Sequence, residues 1–327
     1  MIFFSRIISD IKSEILSLNE GCQFEPTLAV LQVGHREDSD IYLREQIRAA
    51  QRCGIRIKCF SFPCSVDAAE VINQIKMLNQ NPDIHGIVTQ FPLISTQGIT
   101  AEEIANAIEP NKDVDGVSAA QVARLPNGDY LRSDDGSNFQ THIPCAAAAC
   151  LLLLQETGLK LSGSRCLVVG RGRLIGVPIA SLMLWSANAT VTLCHEGTRC
   201  LEDEVTRAEI VITGVGKPGI VRGEWIRPGA AVIDCGMNTP PSASCRITDG
   251  ERKLVGDVNF EEAVDHAGWI TPVPGGVGPV TVALLLRNTL NAAKKYHGLT
   301  THPLLMTPTG VFSDQLGELR NSLAQSV

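Results

Sequence analysis

Two groups of residues in this 327-residue chain combine side-chain types and spacings that chemistry can use. The first begins with Tyr42 and Gln46, four apart on a helical pattern and so on one face. Such a pair orients a polar substrate, or it is an interfacial aromatic beside a solvated amide. Gln90 ends an apolar run and precedes Phe91-Pro92. In a parallel sheet the carboxyl ends of strands face the ligand crevice, which singles Gln90 out. Asp113-Val114-Asp115-Gly116 puts two carboxylates in a loop, where they meet a ligand or cap a turn. The run Thr271-Pro-Val-Pro274-Gly275-Gly276-Val277-Gly278-Pro279 is too rich in Gly and Pro for regular structure. It reads as a rigid loop lying against something, or as a simple connector, with a helix following at Thr281.

The second group is the turn Gly170-Arg171-Gly172-Arg173-Leu174-Ile175-Gly176, which follows an apolar strand and opens a helix. Its glycines are spaced G-x-G-x-x-x-G, one residue longer than the usual dinucleotide fingerprint. Glycines let a backbone approach a pyrophosphate, and a helix N-terminus offers N–H groups and positive potential. The plainer reading is a tight strand-to-helix turn. Arg171, Arg173 and Arg199 suit a 2′-phosphate. Glu196, just past the next strand, suits a free ribose 2′-hydroxyl. Both signals stand.

Several classes are excluded or unsupported. There is no G-x-S-x-G, no H-E-x-x-H and no P-loop, so the chain lacks these nucleophile, zinc and ATP motifs. The histidines at 35, 85, 142, 195, 266, 297 and 302 form no ligand pair, and no metal is expected. Lys+Arg total 28 against 35 Asp+Glu, a net charge of −7, which argues against general nucleic-acid or anionic-membrane binding. No apolar run reaches the roughly 20 residues of a membrane span. The 11 cysteines are scattered without a C-x-x-C pair, as expected of small buried hydrophobes in a reducing compartment. The start, Met1-Ile-Phe-Phe, is too short for a secretory signal. A cytoplasmic location is expected, with the mitochondrial matrix left open.

The elements that must position these groups alternate. Strands are expected at Thr27–Gly34, Ile55–Phe60 and Ile84–Thr89, with helices at Ser39–Cys53 and Ala68–Leu78 between them. Residues 109–145 are a polar, turn-rich interval containing Asn127-Gly128 and Asp135-Gly136. A helix over 146–156 starts a second series, with strands at Cys166–Gly170, Thr190–Cys194, Glu209–Thr213 and Ala230–Asp234 and a helix at Thr281–Lys295. Strand–helix alternation means right-handed crossovers and parallel sheets. The fold class is α/β, with two domains.

Taken together, Leu31-Gln-Val-Gly34, Ser39-x-x-Tyr42, Gln90-Phe-Pro-Leu93, Lys112-Asp-Val-Asp-Gly116, Pro144-Cys145, Val168-Val-Gly-Arg171 with Ile175-Gly-x-Pro178, Val232-Ile-Asp-Cys-Gly236, Val255-Gly-Asp-Val258 and Thr271–Pro279 resemble the bifunctional methylenetetrahydrofolate dehydrogenase/methenyltetrahydrofolate cyclohydrolase family. The resemblance covers about residues 27–297. It implies an N-terminal α/β folate-site domain (1–145, completed by helix 281–297), a Rossmann-like doubly wound parallel sheet (146–280) and an irregular tail (298–327). It implies NADP, or NAD, as cofactor, tetrahydrofolate one-carbon derivatives as substrates, and a homodimer. Tyr42, Gln46, Gln90 and Asp115 fall at catalytic positions; Phe91 and Pro274, Gly275, Gly276, Val277 and Gly278 at folate-binding ones; Gly170, Arg171, Gly172, Ile175, Gly176, Glu196 and Met237 at cofactor-binding ones. The chain departs from the family pattern at its catalytic lysine, here Gln46. It departs again at Gly172 and Glu196, each in place of a serine, at Ala146–Ala149 and at Ile94. A neutral amide cannot titrate near pH 7, so the resemblance implies dehydrogenation with impaired hydrolysis. The alternatives are a silent folate- or nucleotide-binding homologue and an unrelated Rossmann dehydrogenase.

Overall fold

The computed structural model describes residues 2–20, 24–35, 37–128, 142–239 and 254–301. The Asp135-Gly136 turn and the tail beyond 301 lie outside these residues. The first lobe runs α1 (Ile2–Asn19), β1 (Thr27–Val33), α2 (Glu37–Cys53), β2 (Arg56–Phe62), α3 (Ala68–Gln80), β3 (Gly86–Thr89), α4 (Ala101–Ala107) and α5 (Ala119–Val122). Its three strands pair parallel in the order β2-β1-β3. Helix α2 stops at Gly54, whose φ of 86° a side-chain-bearing residue rarely adopts. Asp67 and Thr100 cap α3 and α4, each accepting from a backbone N–H of the first turn.

The second lobe contains α6 (Cys145–Glu156), β4 (Arg165–Val169), α7 (Gly176–Trp185), β5 (Thr190–Cys194), α8 (Leu201–Arg207), β6 (Ile210–Thr213), β7 (Ala231–Asp234), α9 (Phe260–Ala263) and β8 (Trp269–Ile270), after which α10 (Val277–Tyr296) returns to pack on α1, α2, β1 and β3 of the first lobe as well as on α6. Its five strands are all parallel in the order β5-β4-β6-β7-β8. Each sheet therefore reverses strand order, between β1 and β3 and between β4 and β6. Ligands of open α/β sheets bind at the carboxyl ends beside such reversals.

Continuous apolar strands arise because both faces are covered. Leu28 and Val30 of β1 face one cluster; Ala29, Leu31 and Val33 face another, under α3 and α4. In β4, Cys166 and Val168 join the first cluster, while Leu167 and Val169 face α8. That first cluster crosses both lobes through α6 and α10, which pack together. Ala147, Ala148 and Ala149 are completely buried there, their small side chains letting α6 lie close against its neighbours.

Two expectations change. The amino-terminal stretch, weighed against targeting segments and given no element of its own, forms α1. Ile8, Ile11 and Ile15 recur at helical spacing, are buried, and α1 packs on α2 and α10. The carboxyl-terminal helix starts at Val277 rather than Thr281, so Val277 and Gly278 are its first turn and not a loop. Pro279 misled the reading as a breaker; within the first turn its missing N–H has no helical partner to lose.

Candidate functional site

Helix α2 presents Tyr42 and Gln46 toward the carboxyl end of the first sheet. Gln90 follows β3 directly and holds strand register, its N–H donating to Leu31 O at 2.9 Å. Its side chain then reaches α2: Gln90 Nε2 donates to Gln46 Oε1 at 2.7 Å. Gln46 is 2% and Gln90 6% exposed, so neither is a solvated surface amide. Gln46 also hydrogen-bonds Tyr42. Phe91, half-buried, begins the next turn.

The two aspartates of the Asp113–Gly116 loop divide the two roles left open for them. Asp113 staples the turn: Oδ1 accepts from Gly116 N at 2.9 Å and Val117 N at 3.3 Å, and Oδ2 from Ser118 N at 2.8 Å. Asp115 instead stands beside Tyr42 and hydrogen-bonds Cys145, the first residue of α6. Burial, then the nearby Asp113 charge, raises the Asp115 pKa to about 7, against the Cys145 bond. Burial and the Asp115 charge push the Tyr42 phenol well above its ordinary value. Asn288 of α10, which the sequence reading missed, braces this loop by donating to Val114 O at 2.8 Å. Its only signal was an Asn set among Leu284, Leu285 and Ala292 at helical spacing.

The loop Thr271–Gly276 leads from β8 of the second lobe to the start of α10. Pro274 and Gly275 are exposed, Gly276 and Gly278 half-buried, and Val277 buried. No hydrogen bond joins Pro274 or Gly275 to the Tyr42 cluster among the described residues.

The glycine turn sits at the carboxyl end of β4. Gly170 has φ 118°, and a Cβ there would lie 2.7 Å from Gly214 O. A Cβ on Gly176 would run into the Gly170 carbonyl. The turn therefore closes only with glycine at both positions. Gly172 borders open space. Ile175 precedes α7 and supplies no side-chain cap; in the first turn Val177 N donates to Gly172 O at 3.1 Å, Pro178 has no N–H and Ile179 N donates to Ile175 O at 2.9 Å, which leaves the Gly176 N–H for an oxyanion. A cradle of this shape fits a dinucleotide pyrophosphate. Arg171 Nη2 lies 2.5 Å from Glu196 Oε1, bringing two of the expected residues together.

Two buried carboxylates missed in the sequence hold the neighbouring strand ends. Asp234 accepts from Thr213 Oγ1, Gly236 N, Asp257 N and Val258 N. Asp257 accepts from Val215 N, Gly216 N, Lys217 N and Asn238 Nδ2. They fix the Gly214–Lys217 turn against Gly170. Met237, 53% exposed, lies beside this network and not in the glycine turn itself. Among the described residues no three His, Cys, Asp or Glu side chains could hold a metal, and no helix is long and apolar enough to cross a membrane.

The tetrahydrofolate dehydrogenase/cyclohydrolase catalytic-domain description matches residues 3–115, and the NAD(P)-binding-domain description of the same family matches 144–297. The chain belongs to the tetrahydrofolate dehydrogenase/cyclohydrolase family. Among its family relatives, the bifunctional protein FolD of Moorella thermoacetica is 41% identical over 292 residues, covering 89% of this chain and 96% of the relative. Human cytoplasmic C-1-tetrahydrofolate synthase is 41% identical over 293 residues, and the chain spans only 30% of its length. The crystal structure of the Trypanosoma brucei dehydrogenase-cyclohydrolase, complexed with NADP cofactor and inhibitor, superposes with a TM-score of 0.80 at 37% identity, covering 89% of this chain and 94% of that one. The family fold of a catalytic and an NAD(P)-binding domain is thus the fold of this chain.

Proposed function

We propose that this chain oxidises 5,10-methylenetetrahydrofolate to 5,10-methenyltetrahydrofolate, with NADP or NAD as acceptor, and hydrolyses the product poorly. The observation that carries this reading is the contact of Gln46 with Gln90 and Tyr42, beside Asp115, in a family member whose second lobe bears a glycine cradle. When bound, the dinucleotide supplies the hydride acceptor. Gly170 closes the turn, and the N–H groups of Arg171, Gly172, Ile175 and Gly176 bind its phosphates at the start of α7, flanked by Glu196 and Met237.

The chain's own part is orientation. Tyr42 and Gln90 position the pterin and its one-carbon bridge, with Phe91 against the ring. Asp115 accepts from the pterin N–H edge; bonds to its ionised form draw its pKa back down from about 7. The Pro274–Gly276 loop and the first turn of α10, Val277 and Gly278, cover the substrate. Gln46 donates a hydrogen bond but takes up no proton, so water attack on the methenyl bridge lacks a titrating partner.

Free cysteines, several of them buried, support a cytoplasmic setting. The edge strand β5, with Leu193 39% exposed, supports a homodimer through that sheet edge. The test is reduced-nicotinamide formation by purified chain given 5,10-methylenetetrahydrofolate and either dinucleotide. Substrate-dependent reduction is expected. Folate binding in a calorimeter without turnover would replace the proposal with a silent binding protein.

A further inference from the structure

The dinucleotide reading leaves the two coenzymes open, because the sequence sets arginines against one acid. The geometry settles how those charges are disposed. β4 and β5 are parallel neighbours with Val169 opposite Cys194, and Gly170 N donates to Cys194 O at 2.8 Å. Arg171 and Glu196, each two residues beyond its strand, therefore start side by side. Their side chains meet at 2.5 Å. A tight turn fixes the Glu196 loop: Thr198 N donates to His195 O at 2.8 Å, and His195 N to Thr198 Oγ1 at 2.9 Å. His195 is engaged locally as well, its Nδ1 accepting from Gly197 N at 3.1 Å. Arg173 is turned away toward the first lobe, 2.5 Å from Glu102. Arg199, exposed, is the third arginine nearby.

Adenosine ribose in such folds lies over the end of the second strand, where an acid accepts from the 2′-hydroxyl and an arginine takes a 2′-phosphate. We propose that Glu196 is a specificity-determining residue that, by occupying Arg171, makes this site select NAD over NADP. A 2′-phosphate arriving here meets a carboxylate already on the guanidinium it needs, while Arg173 is held by Glu102. Gly172 offers no side chain to compensate. A free ribose instead finds an acceptor whose position Arg171 steadies. The proposal rests on the dinucleotide reading above, not on the folate reaction.

Calorimetric titration of the full chain with NAD, NADP, 5′-AMP and adenosine 2′,5′-bisphosphate tests it without any folate. NAD is expected to bind at least about tenfold more tightly than NADP, and 5′-AMP more tightly than the bisphosphate. Glu196→Gln is expected to narrow or reverse both ratios by about tenfold, chiefly by strengthening the phosphorylated ligands. Glu196 is exposed, so the variant keeps the fold, checked by its melting temperature. Equal or tighter binding of the phosphorylated ligands by the wild type, or unchanged ratios in Glu196→Gln, overturns the proposal. Binding of none of the four overturns the dinucleotide reading together with it.

Discussion

Position 46 carries an amide buried against a second amide, where an ammonium could move a proton. Restoring it with Gln46→Lys requires only that the Gln90 amide turn over, presenting its oxygen in place of Nε2. Methenyltetrahydrofolate hydrolysis is then expected to rise by about 10²–10⁴-fold, the usual worth of a positioned acid–base group. An unchanged decay rate of the methenyl absorbance would show that the pocket lacks more than the lysine. Asp115 gives a second expectation. Its pKa rises from 3.8 unfolded to about 7 folded, so the folded state holds its proton longer. Ionisation of this buried group therefore erodes stability as pH rises through that window. Asp115→Asn removes the loss: its melting temperature relative to wild type should climb from about pH 4 to pH 7 and level off above. A pH-independent difference would refute the assignment.

Among the elements, α1 and α10 are joined by more than apolar packing. Glu14 of α1 pairs with Arg287 at 2.5 Å and with Lys294, both on α10. Lys294 is 5% exposed, and Glu14 is the carboxylate that meets its buried ammonium. Burial opposes ionisation of Glu14, yet the Lys294 and Arg287 bonds hold its pKa below the usual carboxylate value. Glu14→Ala strands two cations and should cost toward the lower end of the roughly 3–5 kcal/mol typical of a broken buried pair, measured by urea unfolding. A change within about 0.5 kcal/mol would mark the cluster as a surface pair. At this scale most elements were legible in the sequence, because each period of apolar residues lies within one element. Helix α1 was not, since its pattern was weighed against targeting segments alone; nor were α4, α5, α8, α9 and β8, too short to show a period, and the first turn of α10 was hidden by Pro279.

Across the whole molecule, one apolar cluster runs through α6 and α10 into both sheets. Separate lobes often unfold separately, but a shared core couples them. Calorimetry should give a single unfolding transition with no cofactor added; two resolved transitions would show that the lobes are independent. The Arg173–Glu102 bridge between the lobes adds little, since Glu102 is 64% exposed, and Glu102→Ala should cost no more than about 1 kcal/mol.

Composition, strand–helix alternation and the glycine turn determined an α/β chain with two parallel sheets and a tight strand-to-helix turn at Gly170–Gly176, since each is written in neighbouring residues. The α2 face bearing Tyr42 and Gln46 was local in the same way. Only tertiary structure decided that Gln90 meets Gln46 across 44 positions and that Arg171 is matched with Glu196 across 25. It also decided which loop aspartate serves the turn and which the pocket. Such pairings depend on where β1 and β4 sit in their sheets and on which faces α6 and α10 bury. Side-chain periodicity names a face within an element but not the partner element that will cover it.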